Sequence, residues 1–338
     1  MVKLGGSITA AVVDEFGTQG FLERISDPYW FQSLGAVLGF DWHSSGVTTT
    51  TCGALKVALS RGLGEELGLY IAGGKGGASR KAPDEIREAG ESRGMDPSPL
   101  VYASRMSAKV DSSALQDGYQ LYHHSFFFDD RGRWSTVQQG MNDENGMARR
   151  YHWVNLDQLD FLDRPHSAIC SDDRGEPLNL VDEESEENRE VSVELSHENP
   201  EDIITDLQKL KEESLDMPTR HNILLSDINP KRLDRSLLKA YEEHPSGFEE
   251  LLGIRGVGPK TIRALSLTAE LVYGKKACFR DPARFSFAHG GKDGIPYPVD
   301  RELFDQTIRI FEKAIKRSSL DSKDKQKALK TLGDVSDA

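Results

Sequence analysis

The sequence predicts an α/β domain, in which helices flank a mixed sheet, followed by an all-α domain. Helical and extended hydrophobic patterns alternate over residues 1–180, which is typical of helices packed on a sheet. An acidic run at residues 182–187 then interrupts the pattern, as a solvated linker does. Beyond residue 200 the pattern is helical. We therefore expect an α/β domain at 1–180, an acidic linker at 181–199, a helical domain at 200–320 and a polar tail at 321–338.

In the first half, periodicity and turn chemistry predict both helices and strands. Apolar residues at helical spacing indicate helices at Ile8–Phe16 and Thr48–Arg61. A short apolar run bounded by glycines indicates a buried strand at Leu67–Ala72. Two extended runs, Tyr119–Asp129 and Trp134–Gln138, flank an Asp/Gly turn, which predicts a β-hairpin.

The second half contains only helical patterns between short breaks. Its last residues, from position 318, are polar and predicted to fray. The expected helices are Glu201–Leu215, Lys231–His244, Phe248–Gly253, Pro259–Gly274 and Arg301–Arg317.

Composition limits the classes of function. The formal net charge of −13 over 338 residues excludes a protein that coats nucleic acid with its whole surface, so any such contact must be local. The three cysteines lie far apart and show no metal-ligand spacing, which predicts a reducing, cytoplasmic setting. No apolar run reaches the roughly 20 residues of a membrane span, so we expect no membrane partner.

The segment Phe248–Gly274 carries the most specific motif, GIRGVGPKT, between two helical patterns. Its glycines permit a tight turn, and Pro259 suits a first helical position. Free amides at a helix start bind anions. The segment resembles the helix-hairpin-helix motif of DNA repair and nuclease proteins, which implies DNA as the partner. The resemblance assigns DNA contacts to Arg255, Gly256, Val257, Gly258, Lys260 and Thr261.

A glycine-rich turn follows the predicted strand at Leu67–Ala72. It lacks the spacing of a Walker loop, but a strand-to-helix turn with basic residues is able to cradle a phosphate. The alternative is a flexible basic turn without a ligand. The candidate phosphate-binding residues are Lys75, Gly76, Ser79 and Arg80.

Histidines, arginines and amides are concentrated between residues 120 and 153. His123, Ser125 and Asp130 occupy the HxK…D spacing of phospholipase D-like phosphodiesterases, and Asn142 falls near that family's GSxN position. The resemblance implies a histidine nucleophile and a homodimer that completes the site, although Ser125 replaces the motif lysine. The implied catalytic set comprises His43, Lys109, Asp111, His123, His124, Asp130, Gln139, Asn142, Arg149 and His152, with Lys75 and Arg150 as further phosphate ligands.

A metal-dependent nuclease is the competing interpretation of the same segments. Hard carboxylate oxygens suit Mg²⁺ or Mn²⁺, and Asp111, Asp129 and Asp130 are the candidate ligands, with His123 nearby. Asp129 and Asp130 are equally explained as turn residues. The cofactor is therefore either absent or a divalent metal.

A second chemistry is implied by resemblance to helix-hairpin-helix DNA glycosylases. Those enzymes combine the hairpin with a downstream Asp, and the lyase members add a Lys within the hairpin motif. Here Lys260 and Asp300 occupy these places, which implies Schiff-base formation at an abasic sugar. The alternatives are that Lys260 contacts a phosphate and that Asp300 caps the following helix.

Across nearly its full length the sequence is similar to the uncharacterised prokaryotic domain-of-unknown-function family 763. Segments that carry the similarity include FDWHSSGVTTTTCGALK, GGKGGASRKAPDEI, ARRYHW and HGGKDGIPYPVDR. The family name implies no activity. From the residues we predict a DNA-processing enzyme, most simply a nuclease, with a glycosylase and a non-catalytic DNA-binding scaffold as alternatives.

Overall fold

A five-stranded antiparallel sheet lies at the centre of the molecule. The computed structural model describes residues 1–40, 46–157, 160–213, 230–285, 301–318 and 320–336. The sheet has the order β1-β3-β4-β5-β6, and every pairing within it is antiparallel, so the predicted mixed sheet is wrong in its strand directions. Its strands are β1 Leu69–Lys75, β3 Gln120–Asp129, β4 Trp134–Met141, β5 Ala148–Asn155 and β6 Ala168–Cys170, while β2 Leu115–Gln116 and β7 Leu178–Asn179 form a separate pair.

Both faces of the sheet are buried, which explains the continuous apolar run in β3. Successive side chains of a strand point to opposite faces. Phe126 and Phe128 accordingly belong to one hydrophobic core and Phe127 to another. We call the side that carries His123 and Phe127 the His123 face, and the side that carries His124 and Phe126 the His124 face.

Helices from the two ends of the chain cover the His123 face. Helix α1 bends at Gly17, whose φ of 72° is outside the helical region, and Asp27 caps α2 by accepting the Trp30 amide. Phe21, Trp30 and Phe311 pack together in this core. The helices are α1 Val2–Ser26, α2 Pro28–Val37 and α3 Gly46–Ala58, followed by α4 Gly64–Leu67 at the sheet edge, with α12 Arg301–Arg317 and α13 Ser322–Ser336 from the carboxyl end.

The remaining helices build the core on the His124 face. Leu251, Ile262 and Leu265 from the end of this group share one cluster of buried side chains with Phe126 and Trp153 of the sheet. These helices are α5 Ala82–Glu91, α6 Ser98–Lys109, α7 Glu186–Ser196, α8 Pro200–Glu213, α9 Pro230–Glu243, α10 Phe248–Gly253 and α11 Pro259–Tyr273.

The segment expected to be a solvated acidic linker, residues 181–199, is part of this core. It contains a 3₁₀ turn, Glu183–Ser185, and helix α7. Asn188 is fully buried and donates to the Ser266 and Lys275 carbonyls on or after α11. The acidic side chains of α7 lie on one side only, and the other side supplies apolar and small residues to the core, which charge density alone does not reveal.

The predicted polar tail at 321–338 is also ordered over most of its length, because helix α13 packs Ala328 and Leu332 into the core of the His123 face. Helix α12 contributes Ile310, Phe311 and Ile315 to the same core. The carboxyl-terminal helices therefore complete the amino-terminal layer. Within the described ranges, the molecule holds no helix with the length and apolar character that a membrane crossing requires.

Candidate functional site

A row of polar residues crosses the sheet on the His123 face. The strand register places Lys75, His123, Gln139, Arg150 and Cys170 opposite one another on five neighbouring strands. Four of the predicted residues, Lys75, His123, Gln139 and Arg150, are thus brought together. Helices α2 and α3 cover part of the row, since Arg150 donates to Gln32 Oε1 at 2.9 Å.

His123 lies inside this row with 1% of its surface exposed. Its Nε2 is 3.0 Å from Ser125 Oγ, and within the described part of the chain its Nδ1 has no hydrogen-bond partner. Burial, with the neighbouring His124 and Lys75, lowers the pKa of His123 to about 3. The imidazole is therefore neutral at physiological pH, but solvent and a polymeric substrate do not reach it.

His152 has a structural role beside the same row. Its Nδ1 donates to the Ile25 carbonyl at 3.0 Å, and its Nε2 accepts from Arg150 Nε at 2.8 Å. Both ring nitrogens are thus engaged, and burial with the charge of Arg150 holds the pKa of His152 well below its usual range. This histidine joins β5 to the end of α1.

The His124 face carries a different network, which begins at helix α6. Ser104 Oγ lies 2.8 Å from His124 Nε2, and His124 Nδ1 lies 2.9 Å from Gln138 Oε1. The amide of Gln138 then donates to Asp111 Oδ2 at 2.5 Å. His123 and His124 consequently lie on opposite faces and do not act on one substrate atom.

Asp111 is the centre of this network and is fully buried. Its Oδ2 also accepts from Trp153 Nε1 at 3.0 Å, and its Oδ1 lies 2.5 Å from His166 Nε2. Since these donors surround the carboxylate, it is unavailable to a metal shared with Asp129 and Asp130. Instead it orients His166, a residue that the sequence interpretation did not select.

His166 forms part of the wall of a cleft of about 570 Å³. The chain reaches it through Arg164, which has an unusual positive φ of 44° for a residue with a side chain. Arg164, Arg280 and Arg284 supply cationic side chains to the same cleft, and Asp182 and Asp281 supply carboxylates.

A buried ion triad lies between this cleft and the hairpin side of the molecule. Arg149 pairs with Asp117 at 3.0 Å and with Asp281 at 2.8 Å, and Tyr151 donates to Asp117. Burial acts to lower the pKa of Arg149, but the two carboxylates raise it above its usual range. Arg149 is therefore a structural cation. It had been predicted to bind phosphate beside His123, but its guanidinium is occupied by the two carboxylates.

The predicted DNA-contacting hairpin lies between α10 and α11. Gly256 has a φ of 109°, and the helix that follows begins with Pro259. Arg255, Gly256 and Lys260 are exposed, whereas Val257 is buried. Thr261 is buried as well, where its hydroxyl lies 2.7 Å from Ser236 and its amide donates to the Gly258 carbonyl. Val257 and Thr261 thus support the hairpin from inside.

Two lysines hold the hairpin carbonyls. Lys109 donates to the Val257 carbonyl at 2.5 Å, and Lys239 donates to the Arg255 carbonyl at 3.1 Å. Burial lowers the pKa of Lys109. Lys109 was predicted to bind phosphate beside His123, but it connects α6 to the hairpin instead.

The glycine-rich turn binds a carboxylate of the protein itself. Gly73 donates its amide to Glu85 Oε2 at 2.8 Å, and Lys56 pairs with the same oxygen at 2.6 Å. The side chains of Lys75 and Arg80 are exposed, and Ser79 donates to the carbonyl of Gly76 within a 3₁₀ turn.

The acidic residues predicted as metal ligands do not come together in the described structure. Asp129 accepts from Arg133 in the β3–β4 turn and from Thr18 of α1, and Asp130 is exposed at that turn. Asn142 likewise caps its own turn by accepting the Glu144 amide. Among the described residues, the grouping with metal-ligand spacing is Asp182, Glu184 and Cys278, and its two carboxylates are paired with Arg280.

Two predicted residues, His43 and Asp300, lie outside the described residues. The residues that sequence reasoning missed, His166 and Asp281, lie in irregular segments that carry no motif. The available signal for His166 was the short segment Asp163–Ser167, which precedes an apolar run, since functional residues concentrate in loops.

Comparison with known proteins gives a family and no activity. No curated protein and no solved structure matches the chain significantly. The family described as "Protein of unknown function (DUF763)" matches residues 1–299, and the chain belongs to this family.

Proposed function

We propose that this protein binds the sugar-phosphate backbone of DNA through the hairpin between α10 and α11. One observation carries the proposal. An exposed turn with Gly256 in the left-handed region leads directly into a helix that starts at Pro259, and Arg255 and Lys260 flank that turn in solvent.

The first turn of an α-helix leaves backbone amides without intrahelical acceptors, and the helix dipole adds positive potential there. A phosphate group is able to satisfy both. Lys260 adds a full positive charge on the second residue of α11. Because Lys109 and Lys239 bind the hairpin carbonyls, those negative dipoles are partly neutralised on the protein side.

Buried side chains give the hairpin a rigid base. Leu251 and Leu252 of α10, and Ile262 and Leu265 of α11, have no exposed surface. A binding turn supported in this way loses little conformational entropy when a ligand docks. Such a local grip is also compatible with the net charge of −13, since it needs few basic residues.

Fluorescence anisotropy with labelled duplex DNA, single-stranded DNA and RNA tests the proposal. Arg255→Ala/Lys260→Ala should weaken DNA binding at least tenfold and reduce the dependence of log Kd on log salt. The matched control, Lys323→Ala/Lys327→Ala, removes two exposed charges from α13 and should bind like the wild type. Equal affinity of both double variants would refute the hairpin as the binding site, and tighter binding of RNA would change the partner.

DNA processing remains part of the proposal, but not with His123 as nucleophile. The burial of His123 and the use of Arg149 and Lys109 in structural contacts remove the support for the phospholipase D-like site and for the homodimer derived from it. Light scattering of the purified protein tests the dimer separately.

A glycosylase or lyase reaction at Lys260 is the second candidate, favoured by one observation. Lys260 lines a pocket of about 240 Å³ together with Asp117 and Tyr119. Borohydride should then trap the protein covalently on abasic DNA, and Lys260→Ala should abolish trapping, whereas Lys323→Ala, at an exposed position of α13, should not. DNA binding without trapping or cleavage would favour the scaffold alternative.

A further inference from the structure

The cleft that His166 lines has the parts of a hydrolytic site. We propose that His166, oriented by Asp111, is the general base of a phosphodiester hydrolase site in this cleft. That DNA is the natural substrate of this site rests on the proposed DNA binding. The catalytic site is then separate from His123.

The hydrogen bonds of Asp111 fix the tautomer of His166. A carboxylate has no proton to donate, and Asp111 already accepts from Trp153 Nε1 and Gln138 Nε2 at Oδ2. His166 Nε2 must therefore carry the proton that Asp111 Oδ1 accepts at 2.5 Å. The lone pair then resides on Nδ1, which has no hydrogen-bond partner among the described residues. An imidazole held in this way is arranged to accept a proton from water.

Asp111 is held rigidly, which a positioning residue requires. It has no exposed surface, and its oxygens are bound by side chains from β4, β5 and the loop before β6. The chain of hydrogen bonds continues through Gln138 and His124 to Ser104. Such an extended buried network prevents rotation of the carboxylate and thus of His166.

Cations around His166 indicate an anionic substrate. Arg164, Arg280 and Arg284 all lie in the cleft, and all three are exposed. Arg280 pairs with Asp182 and Glu184, and Arg164 pairs with Asp182 and Glu183 at 3.6 Å, whereas Arg284 makes no ion pair within the described residues. Guanidinium groups bind phosphate in a planar, two-point manner, so a phosphodiester suits this cleft better than a neutral substrate does.

The ion triad connects the cleft to the hairpin side. Asp281 lines the cleft, and Asp117 lines the smaller pocket that contains Lys260. Both carboxylates hold the guanidinium of Arg149. The two pockets are therefore linked through one buried side chain, that of Arg149.

Water is the nucleophile of the proposed reaction. Nδ1 of His166 removes a proton from water as the oxygen attacks phosphorus, and the phosphorus–oxygen bond to one sugar breaks. The departing alkoxide takes a proton from solvent, and the imidazolium later returns its proton to solvent. The products are a phosphomonoester and an alcohol, and no oxidant or reductant is needed.

Two substrates separate this inference from the DNA proposal. Bis(4-nitrophenyl) phosphate is a small phosphodiester that needs no hairpin, whereas a labelled oligonucleotide needs both sites. Assays contain either EDTA or Mg²⁺ and Mn²⁺, and the faster condition is used. We expect His166→Asn to lower the rate on both substrates at least about 100-fold. His197→Asn, which changes a histidine bound to the Pro245 carbonyl, should match the wild type.

Asp111→Asn tests positioning with a second readout. Loss of the carboxylate should move the acidic limb of the pH–rate profile to lower pH, because the imidazolium loses its counter-charge. A folded His166→Asn protein with wild-type rates, or a wild-type protein that binds DNA but hydrolyses neither substrate, overturns the proposal. Hydrolysis of the small diester without DNA binding would retain the His166 site and refute the hairpin proposal instead.

Discussion

The two faces of the sheet both bury histidines, but their polar networks end in different places. On the His123 face, His123 and His152 are sealed beneath helices, and burial lowers the pKa of each. On the His124 face, the network ends at a carboxylate, Asp111, which holds a histidine at the wall of a cleft. Both arrangements bury a histidine of β3, but only the second continues to the border of a cleft, where 6% of the His166 side chain is exposed.

The neighbouring arginines show the same contrast. Arg149 lies on the His124 face between two carboxylates, while Arg150 lies on the His123 face, where its described hydrogen bonds include Gln32 and His152. Two arginines that are adjacent in the sequence therefore lie in different environments when they belong to a strand with both faces buried. The difference between the faces leads to four predictions, which are given in decreasing order of expected effect.

The largest effect should follow removal of the cation between two buried carboxylates. Arg149→Met leaves Asp117 and Asp281 buried without their counter-ion, which should cost about 3–5 kcal/mol of unfolding free energy. Urea denaturation measures this change in the free energy of unfolding. The triple variant with Asp117→Asn and Asp281→Asn should recover much of the loss, and a cost of less than about 1 kcal/mol for Arg149→Met would contradict the triad.

The next effect tests whether the carboxyl-terminal helices complete the His123 face. Phe311→Ala should destabilise the whole protein by about 3 kcal/mol in a single transition, because this ring packs against Trp30. Lys313→Ala, on an exposed position of the same helix, should cost less than about 1 kcal/mol. Separate melting of the carboxyl-terminal helices, with no effect on the rest, would show that they form an independent unit.

The third prediction concerns pH and the sealed histidines. The folded pKa of His123 is lowered from 6.5 to about 3, so the unfolded chain binds more protons between those values. Stability should therefore fall as pH decreases from 6.5, by about 1.4 kcal/mol per pH unit for this residue. His123→Gln should reduce the slope of unfolding free energy against pH by that amount. An unchanged slope would mean that His123 has the same pKa in the folded and unfolded protein.

The smallest effect should come from the contact between the His124-face layer and the hairpin. Lys109→Met removes the hydrogen bond to the Val257 carbonyl and should cost about 1 kcal/mol. DNA affinity should fall by a few fold, since the hairpin loses one support. Lys209→Met, on an exposed position of α8, serves as the control in both measurements. A fall in affinity of more than about 100-fold would instead make Lys109 a direct ligand.

Local patterns in the sequence predicted local structure well. The strand at Tyr119–Asp129, the turn that follows it and the helices around the GIRGVGPKT motif are present with nearly the predicted bounds. Periodicity and turn chemistry are properties of a few neighbouring residues, so a single sequence contains them. The family assignment also follows from sequence alone.

Predictions that depended on long-range contacts were less successful. The acidic segment 181–199 was expected to be a linker, but the buried side of α7 packs on α11. The site residues were grouped by sequence proximity, which placed His123, His124 and Arg149 together although β3 and β5 direct them to different faces. Alternation along a strand is visible in a sequence, but with both faces buried it does not indicate which residues share a cavity.

The sequence by itself determined the hairpin of β3 and β4, the two helices that flank the glycine turn, and the family. Only the tertiary structure decided that the histidine-rich strands are interior and that His166, 55 residues from Asp111 in the chain, contacts Asp111 at the border of a cleft. The physical reason is that accessibility and pairing depend on which layers cover each face of the sheet. Those layers come from both ends of the chain, and no local pattern in the sequence determines how they pack together.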